Sequence, residues 1–235
     1  MSSHGRETRR LERTTPAVAI ALALIAGCVL TCAPRPARAA NADAHHWLAL
    51  AVLGGSTVFD SQLADYQWDV SPRAAWGASL MGGAGRFGVG TRVWTTTTVQ
   101  HTGLAVPGGD PTVRSTTWDA LGEARVTSAL GTDVLLRANV GWLALRYSPD
   151  QLSVANPGGG APIVVDFKPV NEWIGGGAVA LRHALPGSWS TGLEVERRVF
   201  GLDTAHRNGS VIEERRETFG EWSVRLEVAR WFGRR

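Results

Sequence analysis

The sequence predicts an all-β fold: an eight-stranded antiparallel up-and-down transmembrane β-barrel after an N-terminal signal peptide. Three observations predict it. The first 40 residues have the composition of an export leader, the rest shows eight stretches of period-two alternation, and the connections between those stretches alternate in length.

Residues 1–40 are assigned to the signal peptide and 41–235 to the barrel domain. Arg6, Arg9, Arg10 and Arg13 outnumber Glu7 and Glu12, the stretch from Ala17 to Ala33 carries no charge, and Ala37-Arg38-Ala39-Ala40 supplies a small-residue site. A basic stretch, an apolar stretch and an A-x-A site make a secretory signal, with cleavage expected after Ala39 or Ala40. Two other readings of the leader stand beside it. The apolar run is about the minimum that spans a bilayer, so it could serve as an uncleaved anchor. Ile25-Ala26-Gly27-Cys28 resembles a lipobox, in which Cys28 would be acylated.

The leader explains the bulk charge. The chain carries 24 Lys+Arg against 21 Asp+Glu, a net of +3; residues 1–40 hold six of those arginines and two of those glutamates, leaving 18 basic and 19 acidic residues afterwards, a net of −1. The basic pI therefore belongs to the leader and gives no ground for nucleic-acid binding. Both cysteines, Cys28 and Cys32, also precede residue 40, so the mature chain has neither disulfide nor thiolate chemistry. After residue 40 no window is apolar for 18 residues, so a membrane-embedded mature chain must be a barrel.

The alternating stretches are 46–54, 74–82, 87–96, 118–128, 133–145, 173–182, 189–199 and 221–232. Each is close to the roughly 9–11 residues that a tilted membrane-crossing strand needs. The connections between them run 19, 4, 21, 4, 27, 6 and 21 residues. The short ones are turns by composition, as in Gly83-Ala84-Gly85-Arg86; the long ones are polar or rich in Gly and Pro. A meander with both termini periplasmic puts short turns inside and long loops outside, the arrangement of outer-membrane barrels.

Taking the more apolar parity as outward places Leu48, Leu50, Val52, Val89, Leu136, Val140, Val224, Leu226 and Val228 against lipid. Arg92, Glu123, Arg125, Arg137, Arg182, Glu194, Glu196, Arg198, Arg225 and Glu227 then face the lumen, and only Arg197 and Arg230 face outward. Lipid cannot solvate an ion, whereas a narrow interior holds charges that pair. Counting heights along the strands pairs Glu196 with Arg225, and Glu123 with Arg137 or Arg92, giving an ion-paired plug. Tryptophan marks the headgroup boundary: Trp76, Trp118, Trp142, Trp173 and Trp222 are assigned to an aromatic girdle with Trp47 and Trp189, the last two at the lower boundary. Trp94 and Trp231 have inward parity.

These features resemble the small eight-stranded outer-membrane barrels of the OmpA, OmpX and OmpW type, over residues 44–232 and at the level of architecture. Trp222, Val224, Leu226, Val228 and Phe232 resemble the aromatic-terminated signal read by the barrel-assembly machinery, although Arg230 interrupts the series and Gly233-Arg234-Arg235 follows it. The resemblance implies a monomer in the outer membrane, with membrane lipid, lipopolysaccharide and the assembly machinery as partners.

Other motifs carry little. Gly83-x-Gly85-x-x-Gly88 has the letters of a dinucleotide fingerprint, but no helix follows it. His45-His46 point to opposite faces of a strand. Asn208-Gly209-Ser210 spells a glycosylation acceptor without bacterial meaning, and Glu213-Glu214-Arg215-Arg216-Glu217 reads as a solvated loop or strand extension. His183 near Ser188 and Ser190, His101 with Asp110, and His206 with Asp203 form no spaced triad. No catalytic residue, metal or cofactor is expected. The expected function is non-enzymatic: a barrel presenting four loops for structural or recognition purposes. A narrow channel for ions or small solutes and a lipid-modifying enzyme are the alternatives.

Overall fold

The computed structural model describes residues 46–103, 109–154, 156, 159–208 and 211–233. The signal peptide, its cleavage site, Cys28, His45 and the Gly209-Ser210 pair lie outside the described residues, as does the side chain of His206. Barrel strands are β1 (His46–Phe59), β2 (Arg73–Ala84), β3 (Phe87–Val99), β4 (Thr112–Ala129), β5 (Thr132–Ser148), β8 (Val170–Leu185), β9 (Trp189–Asn208) and β10 (Val211–Gly233). Between β5 and β8 stands a small separate hairpin, β6 (Gln151–Val154) with β7 (Ile163–Asp166). The eight strands close in the order β1-β10-β9-β8-β5-β4-β3-β2, each antiparallel to its neighbours.

Turns 85–86, 130–131 and 186–188 lie at one end of the barrel together with the start of β1 and the end of β10, where Trp47 pairs with both Gly83 and Gly233. This is called the turn end. Leu130 and Gly131 both have positive φ, 51° and 76°, as a two-residue hairpin of the right twist requires. The described residues of the longer connections, 60–72, 100–103, 109–111, 149–154, 156 and 159–169, lie at the other end, the loop end.

Several strands run past the bounds that alternation suggests. The seventh connection, expected as a 21-residue loop, is instead a ribbon in which β9 and β10 stay paired up to Asn208 and Val211. Its residues, Asp203, Glu213, Glu214, Arg215 and Arg216 among them, are polar on both faces, so no apolar parity announces the strand. The first connection folds into a 3-10 turn, Ser61–Tyr66, which drops Leu63 into the barrel mouth at 1% exposure.

The faces are inverted relative to a water-soluble barrel. Leu50, Val52, Val89, Leu136, Val140 and Leu226 are all more than half exposed on the outer wall. A continuous apolar band of this kind exceeds what a soluble monomer leaves in water. Arg92, Glu123, Arg137, Arg182, Glu194, Glu196, Arg198, Arg225 and Glu227 are buried inside. Above these charges, towards the loop end, lies an apolar cluster that includes Phe59, Leu63, Trp68, Leu143, Phe200 and Phe219.

Candidate functional site

The lumen is built in tiers. Nearest the turn end, Trp47 and Trp231 face each other with ring centroids 4.9 Å apart, and the Arg182 guanidinium lies 4.9 Å from the Trp231 ring. Above them Arg182 grips Glu123 bidentately at 2.8 and 2.6 Å. Arg137 joins Glu123 at 2.9 Å, Glu227 at 2.9 Å and Glu194 at 2.5 Å. In the middle tier Arg92 reaches Asp119 at 2.7 Å, Glu194 at 3.0 Å and Glu196 at 2.6 Å. Arg225 holds Glu194 at 2.5 Å and also Glu196. Higher still, Arg198 touches Asp119 at 3.1 Å, Thr117 at 2.8 Å and Glu221. Trp94, two residues nearer the loop end than Arg92 on β3, covers the middle tier on one side: its ring lies 4.4 Å from the Arg225 guanidinium, and its Nε1 donates to Thr57 at 3.1 Å.

Charge balance is close. Arg92, Arg137, Arg182, Arg198 and Arg225 stand against Asp119, Glu123, Glu194, Glu196, Glu221 and Glu227, five cations against six carboxylates. Shared partners matter more than the tally. Glu194 contacts three arginines and Arg92 three carboxylates, so the ions at the centre of the network are held by several partners, while Glu221 at its upper edge pairs with Arg198.

Sequence positions map onto this lumen as follows. Glu196 meets Arg225, and Glu123 meets Arg137 and Arg182 but not Arg92, which turns to Asp119 instead. Arg125 does not join the plug. A register shift between Arg125 and Thr127 carries it to the rim, where among the described residues it pairs with Asp133 alone, at 3.9 Å. Trp47 does not belong to a girdle. It shares the parity of buried Ala49 and Ala51, and its ring covers Gly83 and Gly88, where a Cβ would collide with it. Asp119, Glu221 and Asn139 went unforeseen, although their parity matches that of Glu123, Arg225 and Arg137.

On the outer wall Trp76, Trp118, Trp142, Trp173 and Trp189 are exposed. Trp118, Trp142 and Trp173 are direct neighbours across β4, β5 and β8, the last two with ring centroids 5.2 Å apart. Trp222 is half-buried beneath Arg197, whose guanidinium lies 5.5 Å from its ring and 2.8 Å from Asp60. Towards the turn end Arg230 sits between Trp189 and Phe232, at 5.8 and 5.6 Å, so the charge that breaks the terminal apolar series of β10 is covered by aromatic faces.

At the loop end a pocket of about 490 Å³ opens above the apolar cluster. Leu63, Tyr66, Trp68, Leu145, Tyr147 and Phe219 form its apolar surface, while Asp65, Glu172 and Asp203 supply charge. Tyr66 Oη donates to Glu217 at 2.5 Å, tying the 3-10 turn to β10, and that carboxylate holds the phenol above its ordinary pKa. Gln67, Gln100 and Thr204 add to the Asp65, Glu172 and Asp203 carboxylates, so polar and apolar surface share the pocket and it suits a small amphipathic molecule.

Beside the pocket, Asp110 clasps the third connection. Its carboxylate accepts from the Thr102 amide at 2.9 Å and pairs with His101 Nδ1 at 2.8 Å. The Thr102 amide first, and His101 second, hold the Asp110 carboxyl below its ordinary pKa. A lowered carboxylate contributes order above its unfolded pKa and loses it as pH falls through the folded value. Hydrogen exchange at the Thr102 amide is therefore expected to be protected at neutral pH and to lose that protection below about pH 4. In Asp110→Asn the protection should be weaker and independent of pH over that range.

His183 Nδ1 lies 2.9 Å from Thr132 Oγ1, while Ser190 Oγ accepts from Trp231 Nε1 at 2.8 Å, so the two form no dyad. Among the described residues no group of three or more His, Cys, Asp or Glu could hold a metal ion.

No protein-family model matches the chain, and no curated protein does. Among solved structures it is similar to the outer membrane protein AlkL in lipid bilayers (14% identity, 86% of this chain and 97% of that one, TM-score 0.47). It is also similar to Neisserial surface protein A (9% identity, 79% and 96%, TM-score 0.42) and to Ail of Yersinia pestis in complex with the heparin analogue sucrose octasulfate (8% identity, 79% and 98%, TM-score 0.41). The likeness is one of fold: a small eight-stranded barrel.

Proposed function

We propose that this chain is a non-enzymatic outer-membrane barrel, monomeric, with both termini periplasmic and its loop end working as a surface-recognition element. The observation that carries the reading is the vertical order of the interior. Packed ions fill the membrane-level lumen, an apolar cluster caps them, and the pocket opens only above both. A barrel arranged in this way offers a binding face rather than a passage. The pocket, lined by aromatics on one hand and by Asp65, Gln67, Gln100, Glu172 and Asp203 on the other, supports recognition of a small amphipathic ligand, and the outer aromatics support contact with membrane lipid and lipopolysaccharide. The outer face of β10, ending at Phe232, supports delivery by the barrel-assembly machinery.

Planar-bilayer recording of the purified protein tests the closed lumen. No unitary conductance is expected, because Arg198, Arg225, Glu196 and Glu221 are each only 1% exposed. Steady single-channel steps would overturn the recognition reading in favour of a narrow channel. Unchanged phospholipid and lipid A profiles on overexpression are expected as well; a new lipid species would point to an enzyme. Fractionation tests location, with recovery only in detergent-extracted membranes expected.

A further inference from the structure

Among the described residues, two like charges stand directly opposite each other on the outer wall. Arg114 of β4 and Arg146 of β5 are direct cross-strand partners, and both are exposed. Like charges directly opposite one another destabilise a strand pair. Among the described residues neither arginine forms an ion pair, although all the lumen arginines do, as do Arg197 and Arg216 on the outside. Arg146 is nonetheless positioned: its Nη1 donates to Asn171 Oδ1 on β8 at 3.2 Å and to the Leu145 carbonyl at 3.1 Å, which turns its guanidinium to the side of β5 away from Arg114 and leaves a gap between the two cations. Thr97 lies beside Arg114 on β3, adding a third polar residue to the patch.

Position identifies what would relieve the conflict. Arg114 and Arg146 share the outward parity of Trp118 and Trp142, which pair with each other four residues nearer the turn end on the same two strands. At roughly 3.3 Å per residue the arginines stand about 13 Å along the strand beyond the Trp row. Strand tilt shortens this to about 10 Å along the barrel axis, the reach of a headgroup layer above an aromatic boundary. Below them Val140 and Leu136 continue the apolar wall, where an acyl chain would lie.

We propose that Arg114 and Arg146, with Arg146 held by Asn171, form a binding site for the phosphate of a lipid headgroup whose chains pack on the wall below. The inference rests on the outer-membrane reading and names the lipid class that this reading leaves open. A phosphate seated between the two guanidiniums would screen their repulsion and accept charge-assisted hydrogen bonds from each, and a headgroup tethered by its own chains is presented at the right height.

The test uses the mature protein refolded in zwitterionic detergent, with native mass spectrometry as the readout and diphosphoryl lipid A as the probe. Wild type is expected to retain the lipid at least about ten-fold better than the Arg114→Gln/Arg146→Gln variant. Lipid A stripped of phosphate should be retained no better than by the variant, and millimolar inorganic phosphate should not displace the intact lipid. Equal retention by wild type and variant overturns the site. Displacement by inorganic phosphate alone would make it a free-anion site and overturn the lipid assignment. A second measurement separates binding from folding. Without lipid A the variant should unfold at the same or higher urea concentration than wild type, because a like-charge pair has gone; with lipid A the order should reverse. A variant less stable in both conditions would mean that the arginines are structural. If the wild type is not found in membranes at all, the outer-membrane reading fails. If it is, and retention is equal, only this inference does.

Discussion

Replacing Arg92 with Met is expected to destabilise the barrel by about 3–5 kcal/mol, the cost of leaving buried carboxylates without their counter-charge. Arg92 is 2% exposed and holds Asp119, Glu194 and Glu196 at 2.7, 3.0 and 2.6 Å. Its removal leaves four cations facing six carboxylates in the same enclosed space. Arg92→Lys keeps the charge but lacks the planar fork that reaches three carboxylates, so an intermediate loss is expected. Adding Asp119→Asn to Arg92→Met should recover part of the deficit, because the two changes act on one cluster and cannot be additive. Urea unfolding in lipid vesicles, followed by tryptophan fluorescence and by the heat-dependent shift in gel mobility, measures all three. A loss below about 1 kcal/mol for Arg92→Met would mean that water solvates the tier and that the lumen is not closed there.

Trp94→Ala is expected to cost a similar amount, about 3–5 kcal/mol, for a different reason. Its ring is 1% exposed, packs with Leu53 and Ala75 and lies over Gly77, where a Cβ would strike it. Truncation opens a void beside Arg225 and removes the aromatic face on which that guanidinium rests. Trp94→Phe keeps most of the volume and loses only the hydrogen bond to Thr57, about 1 kcal/mol. Trp76→Ala, by contrast, deletes a ring that is 70% exposed on the outer wall and should shift the midpoint far less. The same unfolding curves, with equal losses at Trp94 and Trp76, would contradict the inward assignment of Trp94.

Much of this was legible because lipid imposes a strict rule on every other residue. Glu194, Glu196 and Arg198 keep one phase on β9, as Arg225 and Glu227 do on β10, and that phase is enough to send them inward. Asp119 and Glu221 follow the same rule but sit next to the strand ends as alternation draws them, where neighbours no longer anchor the phase. Trp47 illustrates the opposite error. Its position at the start of a strand suggested a boundary ring, yet its parity is that of Ala49 and Ala51, and the small residues Gly83 and Gly88 leave room for it inside. The apolar cluster at the loop end was hidden altogether. Leu63 and Trp68 come from the first connection, whereas Phe59, Leu202 and Phe219 keep the inward parity of β1, β9 and β10 but lie beyond the strand bounds that alternation suggests. The β9–β10 ribbon was hidden for a related reason: outside the bilayer neither of its faces has to be apolar.

Pairing of β1 with β10 has a consequence for how the chain assembles. Trp47 and Gly233 lie at opposite ends of the described sequence, yet they are neighbours in the sheet. Every other pairing in the barrel can form between segments that follow one another along the chain. This one closes the longest loop in the molecule and carries the largest chain-entropy cost. Until it forms, two strand edges present unpaired amides and carbonyls that hydrocarbon cannot satisfy. A half-closed barrel therefore has no comfortable resting state in the bilayer, and insertion and ring closure must be completed as one event.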